Sequence, residues 1–560
     1  MSDDNVVGRL TAKAGVQDTY PGGQCRAPGV MSSCTPVFVV ARTVKRCRTE
    51  TLSRIVCHSW NVGPGVGAGP RLSMLASSLS NSVLTNGYRY PRVLEVSDPL
   101  PRSRGSPPLM PRWALGLSVG FHIGQWHSMR VSHSPLSYPD VFVVSPLSRT
   151  PDIAIRPPGS KSITNRALMC AALASGTSTL RGVLFAEDTR AMLDSIAELG
   201  ATVGIDEAAG TVTIQVNSVQ LSSIEAQVDA RQSGTTSRFI LPAVALSSGR
   251  SRVGGSEQLL NRPFGPLFDA LRRLGASVDE VDVPGHLPVL VRGPLVGGSV
   301  ELPGHLSSQF ISGLMMAAPL MRDGLHIQLI SPVVSEPYIR MTAAVMGSFG
   351  VEVRSSDIAE QVIAPARYSP CDYAVEPDAS AASYFMAAAA ISGGRVTIEG
   401  LGTDSIQGDV LFADVLERMG AVVERSASCL TVIGPRRLRG LDVDMGNISD
   451  TAQTLAAVAV FAETPTRVRG IGFIRGKETD RIHAIVTELK RAGIKAVEHE
   501  DGFTIEPGEP APARFATYDD HRMAMSLSLL GLRVSGVEID NPGCVAKTYP
   551  TFFEDLRRLG

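Results

Sequence analysis

Six times along the chain an amphipathic stretch with apolar residues at helical spacing ends in glycine, at Gly200, Gly275, Gly350, Gly420, Gly493 and Gly560. The stripes Leu267, Phe268, Leu271, Leu274 and Leu411, Phe412, Val415, Met419 are examples. A glycine just past the last apolar position predicts a left-handed cap that stops the helix. After five of the six glycines the chain reads on as a strand: Ala201-Thr202-Val203, Ala276-Ser277-Val278, Val351-Glu352-Val353, Ala421-Val422-Val423 and Ile494-Lys495-Ala496-Val497. The sixth glycine ends the sequence. A period of about seventy residues predicts a repeat architecture of class α/β.

Counting one period back from Gly200 places the start of the first unit near residues 130 to 150. Residues 1–145 are therefore expected to be a low-order extension, with Met129 a candidate internal start. Composition supports the division. The chain has 560 residues, 44 % of them hydrophobic and 19 % charged, as an ordinary globular protein would. Yet residues 1–150 hold 16 Lys and Arg against 7 Asp and Glu, leaving 37 against 47 for the remainder. That first part also carries Trp60, Trp113 and Trp126, without sustained periodicity. Its positive charges are scattered, and no apolar run precedes a small-residue cleavage site. Cys170, Cys371, Cys429 and Cys544 stand apart, with no CxxC pair and no His at metal spacing, which reads as buried thiols in a reducing compartment. No apolar run is long enough to span a membrane, so a cytoplasmic location is expected.

The chemistry begins with Arg156-Pro157-Pro158-Gly159-Ser160-Lys161-Ser162-Ile163-Thr164-Asn165-Arg166. A Pro-Gly turn delivers Lys161, Ser162 and, a turn later, Arg166 to a helix start, where free N–H groups favour an anion. The spacing is not that of a Walker loop, so a nucleoside triphosphate is not implied. Asn261-Arg262-Pro263, Lys477-Glu478-Thr479-Asp480-Arg481, Asp519-Asp520-His521-Arg522 and Ala546-Lys547-Thr548 place further cations ahead of later helices. Each alone also reads as a solvated surface charge. Ser307-Ser308-Gln309 heads an apolar helix, where it either caps the helix or holds oxyanion oxygens. In Ser233-Gly234-Thr235-Thr236-Ser237-Arg238, the glycine permits close approach to the backbone.

Taken together with Ser335-Glu336-Pro337-Tyr338 and Asp520-His521-Arg522-Met523-Ala524-Met525, these motifs resemble the 5-enolpyruvylshikimate-3-phosphate synthase family of enolpyruvyl transferases, in order and spacing from about residue 150 to the end. The resemblance implies six βαβαββ repeats in two similar lobes, an inside-out α/β barrel. One lobe would hold 161–378 and the other 146–160 plus 379–560, with the site in the cleft. It implies transfer of the enolpyruvyl group of phosphoenolpyruvate to the 5-hydroxyl of shikimate 3-phosphate, on the route to chorismate and aromatic amino acids. No metal or organic cofactor, no nucleic acid, no membrane and no second subunit would be involved.

Residue by residue, the resemblance implies phosphoenolpyruvate contacts at Lys161, Gly234, Arg262, Gln309, Arg481, Arg522 and Lys547. It implies shikimate 3-phosphate contacts at Lys161, Ser162, Arg166, Ser307, Ser308, Gln309, Ser335, Asp450 and Lys477. Catalysis would fall to Asp450 as base, Glu478 in the methylene proton transfers and Lys161. The plain alternatives are a helix cap for Asp450 and an ion pair for Glu478. Phe473 and Ile474 depart from the family, which often has Asn and Trp there, and this puts a polar contact in doubt. Two other functions compete: the sibling enolpyruvyl transferase acting on UDP-N-acetylglucosamine, and a non-catalytic phosphate-ligand binder. The sibling has a Lys-Asn pair where this chain has Lys161-Ser162, and a mobile-loop Cys with no counterpart here.

Overall fold

The structure is a computed structural model and describes residues 138–217, 224–305 and 307–560. Met129 and most of the expected extension lie outside the described residues. Six helices that border the site begin in the same way. Ser160, Ser233 and Ser307 accept the N–H of Ile163, Thr236 and Gln309 at 3.4, 3.2 and 3.3 Å. Asp378, Asp480 and Asp520 accept that of Ala381, His483 and Arg522 at 2.9, 3.0 and 2.9 Å. Each side chain satisfies a backbone donor that the helix itself cannot pair.

The expected helix ends are found. Gly200, Gly275, Gly350, Gly420 and Gly493 all have positive φ, between 78° and 112°. Strands follow at Thr202–Asp206, Ser277–Glu280, Val422–Arg425 and Ala496–His499. After Gly350 the strand is delayed to Arg354–Asp357, where an irregular register with Glu360–Ile363 opens the ladder late.

Among the described residues the strands form six separate sheets rather than one closed barrel. Five share one wiring. In the sheet of Gln227–Asp229, Arg250–Gly254, Val289–Arg292 and Ser277–Glu280, the first pair is parallel and the next two pairs antiparallel. The parallel pair is joined through the helix Gly234–Val244, giving a βαβαββ unit. The sixth sheet differs in having three strands, Val141–Val144, Val537–Asp540 and Arg514–Phe515. Val141–Val144 takes the vacant antiparallel place beside Val537–Asp540, and Phe142 meets Phe553 at 4.2 Å. Val141–Val144, inside the stretch 1–145 expected as an extension, is therefore part of a sheet.

Two apolar cores are distinct. One is built from residues between Ile163 and Val375, the other from Phe142, Val144 and Ile155 with residues between Ala379 and Leu559. The chain crosses between them twice, and the crossings touch. Asp152–Ile155 pairs with Arg395–Glu399 in the second core's sheet, whereas Asp372–Ala374 pairs with Gly176–Arg181 in the first. Ser160 N–H donates to Glu376 O at 2.7 Å, and Asp378 N–H to Pro158 O at 2.8 Å. The helix Ala379–Ser392, apolar all round, runs buried through the second core. Among the described residues no helix is long and apolar enough to cross a membrane.

Candidate active site

A cavity of about 640 Å³ lies where helix starts from both cores meet. The first core contributes Lys161, Asp188, Gly234, Thr235, Arg238, Arg262, Ser307 and Gln309 to its walls, and the second contributes Asp450, Phe473, Lys477, Glu478, Arg481, Asp501 and Arg522. Cations thus come from both sides.

Lys161 opens the helix Lys161–Ala172, and its Nζ lies 3.4 Å from the buried Asp188 carboxylate. Gly234 opens the helix Gly234–Val244, and a Cβ on it would lie 2.5 Å from Arg238 Nη1 and 2.8 Å from Arg262 Nη1. The bare glycine lets two guanidinium groups close on the helix end. Arg238 is held between the rings of Phe264 and Phe310, at 4.9 and 5.2 Å, and donates to Gln309 Oε1 at 2.8 Å. Burial, then Arg262, pushes its guanidinium down to about 9. Arg262 Nε and Nη2 are buried and have no hydrogen-bond partner among the described residues. Its ion-pair partner, Glu478, stands at 3.7 Å, so these donors are free to bond a bound anion.

The carboxylates stand among these cations. Asp450 sits in the 3-10 turn Ser449–Thr451, whose N-cap position is Ile448. It accepts from Arg522 Nη2 at 2.7 Å, Arg481 Nη1 at 3.2 Å and the Tyr338 hydroxyl at 3.3 Å. Burial opposes its ionisation, but Arg522, Lys477 and Arg481 outweigh it and hold the carboxyl well below its usual range. Glu478 accepts from Arg481 Nη2 at 2.7 Å, with Lys547 Nζ at 3.3 Å and Arg262 Nη2 at 3.7 Å. Burial is again outweighed, here by Arg481, Lys547 and Arg262, and Glu478 is also held well below its usual range. Arg481 is itself tied to Asp520 at 2.8 Å. Burial pushes Lys477 down, and His521 is pushed well below its usual value by burial, then Arg522 and Lys161.

Eleven expected site residues line or adjoin the cavity: Lys161, Gly234, Arg262, Ser307, Gln309, Asp450, Lys477, Glu478, Arg481 and Arg522 as lining, with Lys547 behind Glu478. The other four do not line it. Ser162 faces a smaller cleft with Tyr338, Asp378, Ser380 and Asp409. Ser308 and Ser335 are buried outside both linings, Ser335 with φ of 57°. Arg166 also lies outside the cavity lining. Five residues after Lys161 it lies about 140° around the helix, so it turns into the core rather than to the point Lys161 reaches. Its nitrogens donate to Thr342 Oγ1, Ser162 O, Ser312 Oγ and Tyr338 O at 2.7 to 3.2 Å. Ile474 is likewise core, while Phe473 lines the cavity.

Sequence reasoning missed Arg238, Asp188, Tyr338, Asp378 and Asp409. Two carried a signal: Arg238, standing one helical turn after Gly234 and hence on the same face, and Tyr338, at the end of Ser335-Glu336-Pro337-Tyr338.

This is an α/β protein built to hold a small, multiply charged anion between two cores, with carboxylates kept ionised beside it. Residues 152–556 match the family model described as EPSP synthase (3-phosphoshikimate 1-carboxyvinyltransferase). A 3-phosphoshikimate 1-carboxyvinyltransferase of Nostoc punctiforme is 42 % identical over 416 residues, 74 % of this chain and 98 % of that protein. Its counterpart in Shewanella denitrificans is 43 % identical over 413 residues, 73 % of this chain and 96 % of that protein. An EPSP synthase structure from Acinetobacter baumannii superposes with a TM-score of 0.63 at 28 % identity, covering 75 % of this chain and 98 % of that one. The chain belongs to the EPSP synthase family and has its two-domain, inside-out α/β fold.

Proposed function

We propose that the chain transfers the enolpyruvyl group of phosphoenolpyruvate to the 5-hydroxyl of shikimate 3-phosphate and releases phosphate, acting as a monomer in the cytoplasm. The observation that carries this is the pairing of a buried cation set with two ionised carboxylates in one cavity. Each substrate bears a phosphate and a carboxylate. Two unit charges 4 Å apart repel by about 4 kcal/mol at an effective dielectric of about 20, and the local cations offset that repulsion.

In this reading Lys161, Arg262, Arg481, Arg522 and Lys547, with the helix start at Gly234, hold phosphoenolpyruvate. Ser307, Gln309, Lys477 and Asp450 face shikimate 3-phosphate, and Arg238 supports Gln309 from behind. Ser162 reaches the acceptor only from the smaller cleft. The lobes are 161–378 and 146–160 with 379–560, the second extended by the strand Val141–Val144, and they meet around the cavity.

Asp450, ionised and held by two arginines, takes the 5-hydroxyl proton as that oxygen bonds to C2 of phosphoenolpyruvate. C3 gains a proton in the same addition. The C2–O bond to phosphate then breaks, C3 gives back a proton and the double bond reforms. Glu478 serves the C3 proton. Phosphoenolpyruvate charge compensates Arg481, Lys547 and Arg262, the cations that depress Glu478, and so raises its affinity for a proton. The Lys161 ammonium beside Asp188 balances charge on the phosphate as it leaves.

The test is phosphate release by the purified chain with phosphoenolpyruvate and each acceptor in turn. Turnover with shikimate 3-phosphate is expected. Turnover with UDP-N-acetylglucosamine alone, or binding without release, would overturn the proposal.

A further inference from the structure

Beneath Asp450, outside the main cavity, lies a second buried carboxyl with no part in the chemistry above. Asp409 stands in the 3-10 turn Gly408–Leu411 of the second core. Its Oδ2 accepts from the hydroxyls of Ser380 and of Tyr338, the latter at 3.3 Å, and its buried Oδ1 has no hydrogen-bond partner among the described residues. The Tyr338 hydroxyl lies at the same 3.3 Å from Asp450 Oδ2. Tyr338 comes from the first core, so its hydroxyl reaches across to two carboxyls of the second. The approach is built closely: a Cβ on Gly408 would lie 2.4 Å from Pro337 Cβ. Arg166 bonds to the Tyr338 carbonyl at 3.2 Å and faces its ring.

One hydroxyl proton cannot serve two carboxylates. If both were ionised, Tyr338 could satisfy only one, and the other would be a buried charge with a donor lost. We propose that Asp409 is held as the carboxylic acid and, with Tyr338, forms a positioning pair that orients the Asp450 carboxylate: Asp409 donates to the Tyr338 oxygen, and Tyr338 donates to Asp450. This rests on the reading of Asp450 as the base. The charged groups facing Asp409 are Asp450 and Asp378, which favour its acid form, and Arg522, which opposes it. Burial is the largest influence, and together they raise the carboxyl to about 7. Tyr338 is pushed well above its usual value, first by burial and then by Asp409 and Asp450, so it keeps its proton.

Above pH 7 Asp409 ionises, Tyr338's proton is contested, and Asp450 loses its orientation. The kcat of the full-length protein is therefore expected to fall as pH rises from 6 to 8.5. In Asp409→Asn, whose amide donates to Tyr338 at every pH, that descending limb is expected to vanish. Tyr338→Phe is expected to lower kcat at pH 6 by about tenfold, the loss of one hydrogen bond to a charged group, with KM for both substrates little changed and the limb gone. Difference infrared spectra should show a protonated carboxyl band at pH 6 in the parent that is missing in Asp409→Asn, a readout needing no turnover. A limb that persists in Asp409→Asn, a Tyr338→Phe kcat within twofold of the parent, or no difference in the carboxyl band would each overturn the inference. If Asp409→Asn does not fold, the pH profile of Tyr338→Phe decides alone. Failure of the functional reading shows separately, as a parent that releases no phosphate from shikimate 3-phosphate.

Discussion

Replacing Gly234 by alanine adds one methyl group at the mouth of the cavity and separates stability from function. The backbone there lies outside the left-handed region, so alanine fits the conformation. Its Cβ, however, would sit 2.5 Å from Arg238 Nη1 and 2.8 Å from Arg262 Nη1, where an ordinary contact needs about 3.5 Å. Both guanidinium groups must retreat by about 1 Å or slightly less. Arg238 has little room, since two aromatic rings and Gln309 hold it. Arg262 must retreat as well, and with it the donors left for a bound anion. A charge-assisted hydrogen bond is worth about 1.5–3 kcal/mol, so losing one raises KM for phosphoenolpyruvate roughly 10- to 150-fold. The kcat and the KM for shikimate 3-phosphate should change far less. Folding should not suffer, because Gly→Ala at a compatible helical position gains about 0.4–1 kcal/mol and only side-chain tips are displaced. Steady-state phosphate release over a range of phosphoenolpyruvate, paired with thermal melts, makes the test. An unchanged KM for phosphoenolpyruvate, or a Tm clearly below the parent's, would refute the reasoning.

Four further outcomes follow from the same geometry. Asp450→Asn should reduce kcat by about 10²–10⁴, the range for a general base, without loss of fold by circular dichroism; turnover within tenfold of the parent would remove Asp450 from that role. Asp378→Ala removes a carboxylate that accepts from Ala381 N–H at 2.9 Å and from Lys161 N–H at 3.0 Å, and should lower stability by about 2 kcal/mol in urea titration, since each cap contributes about 1 kcal/mol. Asp409 binds its proton up to about pH 7 when folded, whereas an unfolded Asp releases it near 3.8. The stability it contributes is thus complete below about pH 4 and lost as pH rises through 7, so the parent's urea midpoint should fall between pH 5 and 8 more than that of Asp409→Asn. A chain begun at Met129 keeps the strand Val141–Val144 and should retain activity, whereas one begun after Pro146 loses it with the Phe142 to Phe553 contact and should melt at a clearly lower temperature.

The repeat was legible because its signals are local. A glycine cap and a 3.6-residue stripe are set by neighbours along the chain, and five of the glycines show the positive φ that the pattern requires. What escaped depends on residues far apart in sequence. Val141–Val144 has no intrinsic reason to be ordered. It becomes a strand by pairing antiparallel with Val537–Asp540, far away in sequence. Arg166 was read with its neighbours as one cluster of charges, whereas five residues of helix turn it away from Lys161 and onto Thr342 and Ser312. Asp409 gave no signal, since it stands in no quoted motif, and Tyr338 was seen only as the end of Ser335-Glu336-Pro337-Tyr338. Only the contact of one core with the other makes them partners.

The caps explain why the site is divided as it is. The three first-core helices that begin at the cavity are capped by serines, which satisfy N–H groups without adding charge. Their positive ends remain available to an anion, reinforced by Lys161, Arg238 and Arg262. Two second-core helices at the cavity are capped by Asp480 and Asp520, which offset the helix dipole, and Arg481 is further neutralised by Asp450, Glu478 and Asp520. The second core thus keeps carboxylates ionised for proton transfer, while the first turns cations and uncharged helix caps toward the cavity for phosphate. Neither half is sufficient alone. Asp378 links them, because one carboxylate accepts from the starts of both Lys161–Ala172 and Ala379–Ser392 at the point where the two chain crossings touch. The residue that fixes the crossing therefore also fixes Lys161, so the geometry of the connection and that of the site are set together.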